Sequence, residues 1–228
     1  MIKSLRLSRG VLEYEFARKR VKNINLRVRA DGSVYVSAPK SVPIKAVEGF
    51  IRSKTDFIFD AIERTKGFDE PQYEAGDRVC IFGAQYTVMI VSGSKNKAEI
   101  SDGRLVLALK DPSDAEMRVK TAKRFLDMTA RRELAAALNR VFPLFTRYNI
   151  EYPTLYFRSA KTRWGSCCAA KKRVMLNTRL IAYPLCAAEY VAAHELAHLI
   201  EQNHSAAFYS VLSSVMPDYK IRRALLKG

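Results

Sequence analysis

All three histidines of the chain fall within residues 194–204, at His194, His198 and His204. In a helix, the four-residue spacing of His194 and His198 puts both imidazoles on one side, one turn apart, where they can bind one cation. Glu195 lies between them and completes the pattern H-E-x-x-H. In this pattern the glutamate acts as a general base, which takes a proton from a water molecule that the metal activates. The spacing therefore predicts a metal-dependent hydrolytic site.

A catalytic zinc site takes three protein ligands and leaves a fourth position for water, so a third ligand must be found. Glu201 lies almost on the same helical face, but its Cα would be about 4.5 Å along the axis beyond His198. His204 would point away on an unbroken helix, yet Asn203 can end the helix and Ser205 can cap a new one. We favour His204 as the third ligand, with Glu201 as the alternative ligand or as a partner that orients a ligand.

A basic segment without acidic residues, 158–173, precedes the histidine-containing region and includes the only tryptophan, Trp164. Arg163 in this segment could bind an anionic group or stabilise charge that develops beside the metal. In the alternative interpretation, Trp164 packs under the helix, Gly165 permits a tight turn and the cations are solvated. Asn177 could likewise orient the substrate or end a strand. These three residues, Arg163, Trp164 and Asn177, are candidate substrate-binding residues.

The four cysteines do not have the even spacing of a secreted disulfide framework. A ligand from Cys167 or Cys168 would close the metal site and remove the position for water, so we expect packing or turn roles for both. The N-terminal residues show no apolar signal segment, and no run of residues is apolar enough to span a membrane. We therefore expect a cytoplasmic protein.

Two hairpins and two helices are predicted from the patterns that surround the turn signals. Alternating apolar residues flank Asp31-Gly32 and Asp102-Gly103, which is typical of hairpins with two-residue turns. We attribute their similarity to local turn chemistry rather than to a repeat. One helix is expected over about residues 43–65, and Ser113 with Glu116 predicts a capping box that begins another.

The pattern changes from strands to helices near Pro112. We therefore predict an α+β protein, with a β-rich region over 1–112 and a helical metal-binding domain with a small sheet over 113–228. Its 228 residues, 48% of them hydrophobic, suffice for one large domain or two small ones.

The charge balance is strongly basic, with 39 Lys and Arg against 23 Asp and Glu and a net charge of +16. Such a balance implies an anionic substrate, partner or surface. This anionic group could belong to an acidic peptide or protein, a nucleotide, a nucleic acid or an acidic lipid. The sequence leaves the oligomeric state open.

Five short motifs together resemble a known family. They are RWGSC (163–167), LNTRL (176–180), YVAAHELAHL (190–199), NHS (203–205) and PDY (217–219). They look like the YgjP-like metal-dependent hydrolases, which are zincin-like proteins related to the SprT-like and WLM metallopeptidases. The segment 23–40 also resembles the opening hairpin of that family. Phe208-Tyr209 departs from the Phe-Trp expected after NHS, at a position that touches no expected ligand.

The resemblance implies a zincin-like C-terminal half with zinc at His194, His198 and His204 and with Glu195 as catalytic acid and base. The histidine-rich site could also accept manganese, cobalt or nickel. The leading hypothesis is a metallopeptidase-type zinc hydrolase, in which residues 173–177 form an edge strand that aligns an extended peptide.

Two other functions stay open. A nucleotide pyrophosphohydrolase would use the same metal site, with Arg163 as the cation that binds phosphate. A nucleic-acid-associated binding module would keep the metal for stability and would use basic residues between Arg18 and Arg29 along the phosphate backbone. The intact Glu195 argues against a purely structural metal, which has no use for a base.

Overall fold

A computed structural model describes residues 2–29, 31–66 and 71–226 of the chain. The chain divides into two compact units, Met1–Pro71 and Gln72–Gly228. Both units combine sheet and helix, so the predicted α+β class is confirmed. None of the described helices combines the length and the hydrophobicity that crossing a bilayer requires.

The first unit packs one mixed sheet against two helices. Its strands are β1 (Ile2–Leu7), β2 (Gly10–Arg18), β3 (Asn25–Val28) and β4 (Val34–Ala38), and its helices are α1 (Ile44–Ser53) and α2 (Thr55–Lys66). The strand order is β1-β2-β4-β3, with β2 parallel to β4. Val47, Ile51 and Ile58 pack from the helices into the core of this sheet. The single helix expected over 43–65 is two helices, because Lys54 leaves helical geometry at φ −113° and ψ 15°.

The second unit begins with another mixed sheet of the same topology. Its strands are β5 (Arg78–Ile81), β6 (Ala84–Ser92), β7 (Lys97–Ser101) and β8 (Arg104–Leu109). The order β5-β6-β8-β7, with β6 parallel to β8, repeats the pattern of the first sheet. The two Asp-Gly turns therefore occupy equivalent hairpins. Of these two turns, the one at Asp102-Gly103 has two residues, as predicted. The turn at Asp31-Gly32 is longer, since β3 ends at Val28 and β4 begins at Val34.

The longest helix of the structure, α3 (Ala115–Val141), follows β8. It begins at Asp114, whose carboxylate accepts a hydrogen bond of 2.9 Å from the main-chain N–H of Met117. The predicted cap at Ser113 is therefore wrong, because the Ser113 hydroxyl donates instead to Asp111.

α3 contributes to two hydrophobic cores. Ala122 packs with Leu105 and Leu107 of the sheet, while Leu134 and Leu138 belong to the core of the C-terminal helices. Pro112 consequently lies within the second unit, between a sheet and a helix that share a core.

The remaining elements form a small sheet covered by helices. The strands are β9 (Thr154–Arg158), β10 (Gly165–Cys168) and β11 (Arg173–Asn177), and the helices are α4 (Leu185–Ala197), α5 (Ala206–Val215) and α6 (Tyr219–Ala224). The strand order is β10-β11-β9. The expectation that residues 173–177 form an edge strand is therefore wrong, since β11 is paired on both sides. Among the described strands of this sheet, β10 and β9 are the edges.

Candidate metal centre

The helix α4 carries His194 and Glu195 on a segment that is otherwise almost wholly apolar. Small residues around them, including Ala192, Ala193 and Ala197, are fully buried. Their small size lets the helix pack closely against its neighbours, as dense protein cores require. A helix held in this way fixes the direction of its few polar side chains.

The chain reverses directly after the HExxH segment. The helix ends at Ala197 with His198 as its last capping residue, six positions before the expected end at Asn203. Ser205 then begins α5, since its hydroxyl accepts a hydrogen bond of 3.3 Å from the Phe208 N–H. This start was predicted from the sequence, and the reversal brings His204 back toward α4.

The three histidines converge after this reversal. Nε2 of His204 lies 3.0 Å from Nε2 of His194. One ring nitrogen of each of the three residues lies within 4.8 Å of the others. Among the described residues, they are the group of acidic, Cys and His side chains arranged closely enough to hold a metal ion.

The ring of Phe208 packs against all three imidazoles. Its ring is fully buried, and its centroid lies 4.9, 4.5 and 4.9 Å from those of His194, His198 and His204. Phe208 is in the first turn of α5, four residues after His204. Sequence reasoning missed this role, although an apolar residue in the first turn of a predicted helix, four positions after a candidate ligand, is the signal that could have indicated it.

Glu201 is associated with the site through its main chain. Its carbonyl oxygen lies 3.1 Å from Nδ1 of His198, which directs the other ring nitrogen toward the cluster. The Glu201 carboxylate instead accepts a hydrogen bond of 3.2 Å from the Asn203 N–H. The contact that orients His198 is therefore a backbone carbonyl rather than a carboxylate.

Burial favours the neutral forms of His194 and His198, which are the forms that bind a metal ion. Burial lowers the pKa of His194 to about 3, with smaller contributions from His198, His204 and Arg223. Burial also lowers the pKa of His198. His194 is therefore neutral at neutral pH, with a ring lone pair available, and its Nδ1 has no hydrogen-bond partner among the described residues. Three clustered imidazoles of this kind are a donor set typical of zinc and related divalent ions.

Glu195 is a buried carboxyl group, with 5% of its surface exposed. Burial raises its pKa to about 8, while the positive charge of Arg163 opposes the shift. Within the described part of the chain, no residue donates a hydrogen bond to its carboxylate, so its oxygens are available to a water molecule or a substrate.

Gly165 at the start of β10 provides the space for Glu195. A Cβ atom built at this glycine would lie 2.5 Å from Oε1 of Glu195. The sequence suggested that Gly165 permits a tight turn, but it lies in a strand and its φ is not in the left-handed region. The contact joins residues that are far apart in sequence, and the only signal for it is the glycine within RWGSC.

The other candidates from the basic segment have different positions. Arg163 is exposed and forms no ion pair with a described residue, and its charge reaches Glu195. Trp164 packs edge to face against Tyr183, with ring centroids 4.8 Å apart. Trp164 also joins the core that contains α4.

Asn177 is buried and holds the loop that precedes β10. Its amide nitrogen donates to the carbonyls of Ala160 and Arg163, at 2.6 and 2.7 Å. Its side-chain oxygen accepts from the N–H groups of Ala160 and Arg179, at 3.2 and 3.0 Å. These four hydrogen bonds use the full capacity of an amide side chain. Asn177 therefore positions the main chain around Arg163.

The four cysteines are not members of the histidine cluster. All four cysteines are free thiols, and burial, with the charge of Glu195 adding to it, raises the pKa of Cys167 to about 11.

In the first unit, Arg18 donates to the carbonyls of Pro39 and Val42, and Arg29 pairs with Glu15. Arg18 and Arg29 thus have hydrogen-bond or ion-pair partners within the first unit. Nucleic-acid binding by the basic residues between them stays a prediction.

A buried HExxH helix, a chain reversal that returns a third histidine and an adjacent carboxyl group together define a metal-dependent hydrolase. The family model described as the YgjP-like metallopeptidase domain matches residues 22–228. The chain therefore belongs to the YgjP-like family, as its motifs suggested.

Comparison with solved structures identified a similar region in the crystal structure of the metallopeptidase zymogen of Pyrococcus abyssi abylysin. The two chains are 18% identical, with a TM-score of 0.36, and the match covers 40% of this chain and 89% of that chain. A search of curated proteins found no match.

Proposed function

We propose that the protein hydrolyses peptide bonds with a zinc ion held by His194, His198 and His204 and with Glu195 as general base. The observation that carries the proposal is the cluster of three imidazole nitrogens within 4.8 Å of one another, beside the buried carboxyl group of Glu195 on α4. A divalent cation at these nitrogens would polarise the scissile carbonyl and lower the pKa of water.

Glu195 would move the proton during the reaction. A divalent charge beside it favours the ionised carboxylate, which offsets the effect of burial on its pKa. The carboxylate then accepts a proton from the attacking water and delivers it to the departing amine. Gly165 accommodates the carboxylate, because the absence of a Cβ atom leaves room for Oε1 at the edge of the sheet.

The substrate would lie along β10 rather than along residues 173–177. β10 is an edge strand of the small sheet, and it contains the glycine that contacts Glu195. An exposed strand edge can bind an extended peptide through main-chain hydrogen bonds, with little dependence on its side chains. A peptide bound there would have its backbone beside Glu195.

The test is cleavage of an unfolded protein by zinc-loaded enzyme, with manganese, cobalt and nickel in parallel. Glu195→Gln should bind the metal and lose cleavage by at least about a hundredfold. Glu116→Gln is the matched control, since Glu116 is an exposed residue in the first turn of α3. Undiminished cleavage by Glu195→Gln would contradict the proposed mechanism.

A second candidate is hydrolysis of a nucleoside triphosphate at the same site. The observation that favours it is Arg163, an exposed cation without an ion-pair partner among the described residues, whose charge reaches Glu195. A guanidinium there could bind a phosphate group. Release of pyrophosphate from nucleotides, lost in Arg163→Gln, would support this function. Peptide fragments without pyrophosphate would support the first.

A further inference from the structure

A cleft of about 340 Å³ adjoins the histidine cluster. Its lining residues are Tyr209 of α5 and four residues of α6, namely Tyr219, Lys220, Arg223 and Ala224. The ring of Tyr209 stacks on Tyr219 at 6.1 Å and lies 6.3 Å from the ring of His204. One aromatic wall of the cleft is therefore shared with the candidate metal centre.

The cleft carries two positive charges that no carboxylate of the described residues neutralises. Lys220 and Arg223 are three residues apart on α6, a spacing that places them on neighbouring positions of one helical face. Both are exposed, and no described carboxylate forms an ion pair with either. Arg222 behaves differently, because Asp218 and Glu189 bind its guanidinium at 2.8 and 2.7 Å.

The charge of Arg223 extends to the metal centre. It contributes to the electrostatic environment of His194, which belongs to the cluster, and of the buried Tyr190. An anion bound at Arg223 would therefore lie on the same side of the protein as a group bound at the histidines. Because Tyr209 lines the cleft and its ring lies 6.3 Å from that of His204, one extended substrate could reach both places.

We propose that this cleft binds a carboxylate of the peptide substrate, near the bond that is cleaved. Lys220 and Arg223 would bind the carboxylate, and the two tyrosine rings would pack against the aliphatic part of the same residue. The inference rests on the proposed peptidase function and adds a preference for acidic residues or for a free C-terminus.

Binding can be measured without turnover in the zinc-loaded Glu195→Gln protein. A single Glu is moved along a neutral peptide with blocked ends, and a second series has the neutral sequence with a free C-terminal carboxylate. Fluorescence anisotropy gives the Kd of each peptide. We expect at least one charged peptide to bind about tenfold more tightly than the neutral one, as charge-assisted hydrogen bonds typically allow.

The same preference should fall to about twofold in Arg223→Gln and in Lys220→Gln, and it should weaken as salt is added. Lys95→Gln is the matched control, because Lys95 is exposed in the turn between β6 and β7. If the affinity increases at one Glu position alone, the cleft binds a side-chain carboxylate. If it increases in the second series, the cleft binds the C-terminal carboxylate. Equal Kd values for all peptides would overturn the inference. So would an increase in affinity for charged peptides that is unchanged in both Arg223→Gln and Lys220→Gln.

Cleavage of the same peptides by the wild-type enzyme separates the two proposals. If tighter binding depends on Arg223 but no peptide is cleaved, the carboxylate site stands and the peptidase function fails. If neutral and acidic peptides are bound and cleaved equally, the peptidase function stands and the carboxylate site fails.

Discussion

Oε1 of Glu195 occupies the space that a side chain at Gly165 would need. A Cβ atom there would lie 2.5 Å from this oxygen and 2.7 Å from Cγ of the same residue. The edge strand and the HExxH helix are therefore in direct contact at the candidate base. The strand that we propose to align the substrate thus also leaves the space that the proposed base occupies.

Gly165→Ala should displace Glu195 while the histidines keep their positions. We expect metal affinity close to that of the wild type and a loss of kcat of about a hundredfold, since a shift of an ångström at a reacting group has that order of effect. Steady-state kinetics on a peptide substrate and a zinc titration measure the two quantities. Gly49→Ala in α1 is the control, because a Cβ there meets nothing within 4 Å. Full activity in Gly165→Ala would contradict the positioning role.

The metal-free protein should lose stability with rising pH because of Glu195. Its pKa is raised from 4.5 to about 8, so the unfolded chain ionises this group before the folded protein does. The stabilisation is complete below about pH 4.5 and is lost as the pH rises through about 8. Glu195→Gln should therefore be more stable than the wild type at pH 8, by up to about 5 kcal/mol, and similar to it near pH 4.5. Thermal unfolding with a chelator measures this difference, and a pH-independent difference would contradict it.

The metal-free protein should also lose stability in acid because of His194. Burial lowers its pKa from 6.5 to about 3, so the unfolded chain binds a proton that the folded protein excludes. The stabilisation is present above about pH 6.5 and is lost as the pH falls toward 3. His194→Gln should show a smaller fall in Tm across this range. An equal fall in both proteins would assign the acid sensitivity to other groups.

Zinc should raise the Tm of the wild type but not that of His204→Gln at the same concentration. His204 is exposed, so its substitution should leave the metal-free protein folded and remove one ligand. At a hundredfold excess of free zinc over Kd, the gain for the wild type is about 2.7 kcal/mol. Glu201→Gln should keep this gain, because Glu201 contacts His198 through its carbonyl oxygen. A wild-type gain in His204→Gln would exclude His204 as a ligand.

Asn177→Ala should destabilise the fold by about 2–4 kcal/mol, because it leaves four main-chain groups, of Ala160, Arg163 and Arg179, without their partner. Asn177→Asp keeps the acceptor but removes the donors to Ala160 and Arg163, and we expect an intermediate loss. Urea unfolding gives both values. A loss below about 0.5 kcal/mol in Asn177→Ala, the range of ordinary surface substitutions, would show that these hydrogen bonds are dispensable.

The parts of the site that depend on local geometry were predictable from the sequence. The spacing of His194 and His198 is a property of one helix, and the cap at Ser205 is a property of one turn. The return of His204 followed from these two features, although the helix ends at Ala197 and not at Asn203. Local patterns also gave the hairpins and the α+β class.

The parts that depend on packing between distant segments were not predictable. The contact of Gly165 with Glu195 requires β10 to lie against α4, and no periodicity in either segment specifies this. The same reason explains why residues 173–177 were expected at an edge, since strand order is set by the whole sheet. The cleft at Arg223 depends on how α5 and α6 fold back toward His204, which single-sequence patterns do not encode.

X-ray absorption at the zinc edge, on protein loaded with one equivalent of zinc, tests the central claim most directly. If His194, His198 and His204 hold the ion, the spectrum should show three imidazole nitrogens at about 2.0–2.1 Å and one further light ligand. His204→Gln should lose one imidazole and Glu201→Gln none. Two or fewer imidazoles in the wild-type protein, or a sulfur ligand, would contradict the proposed centre.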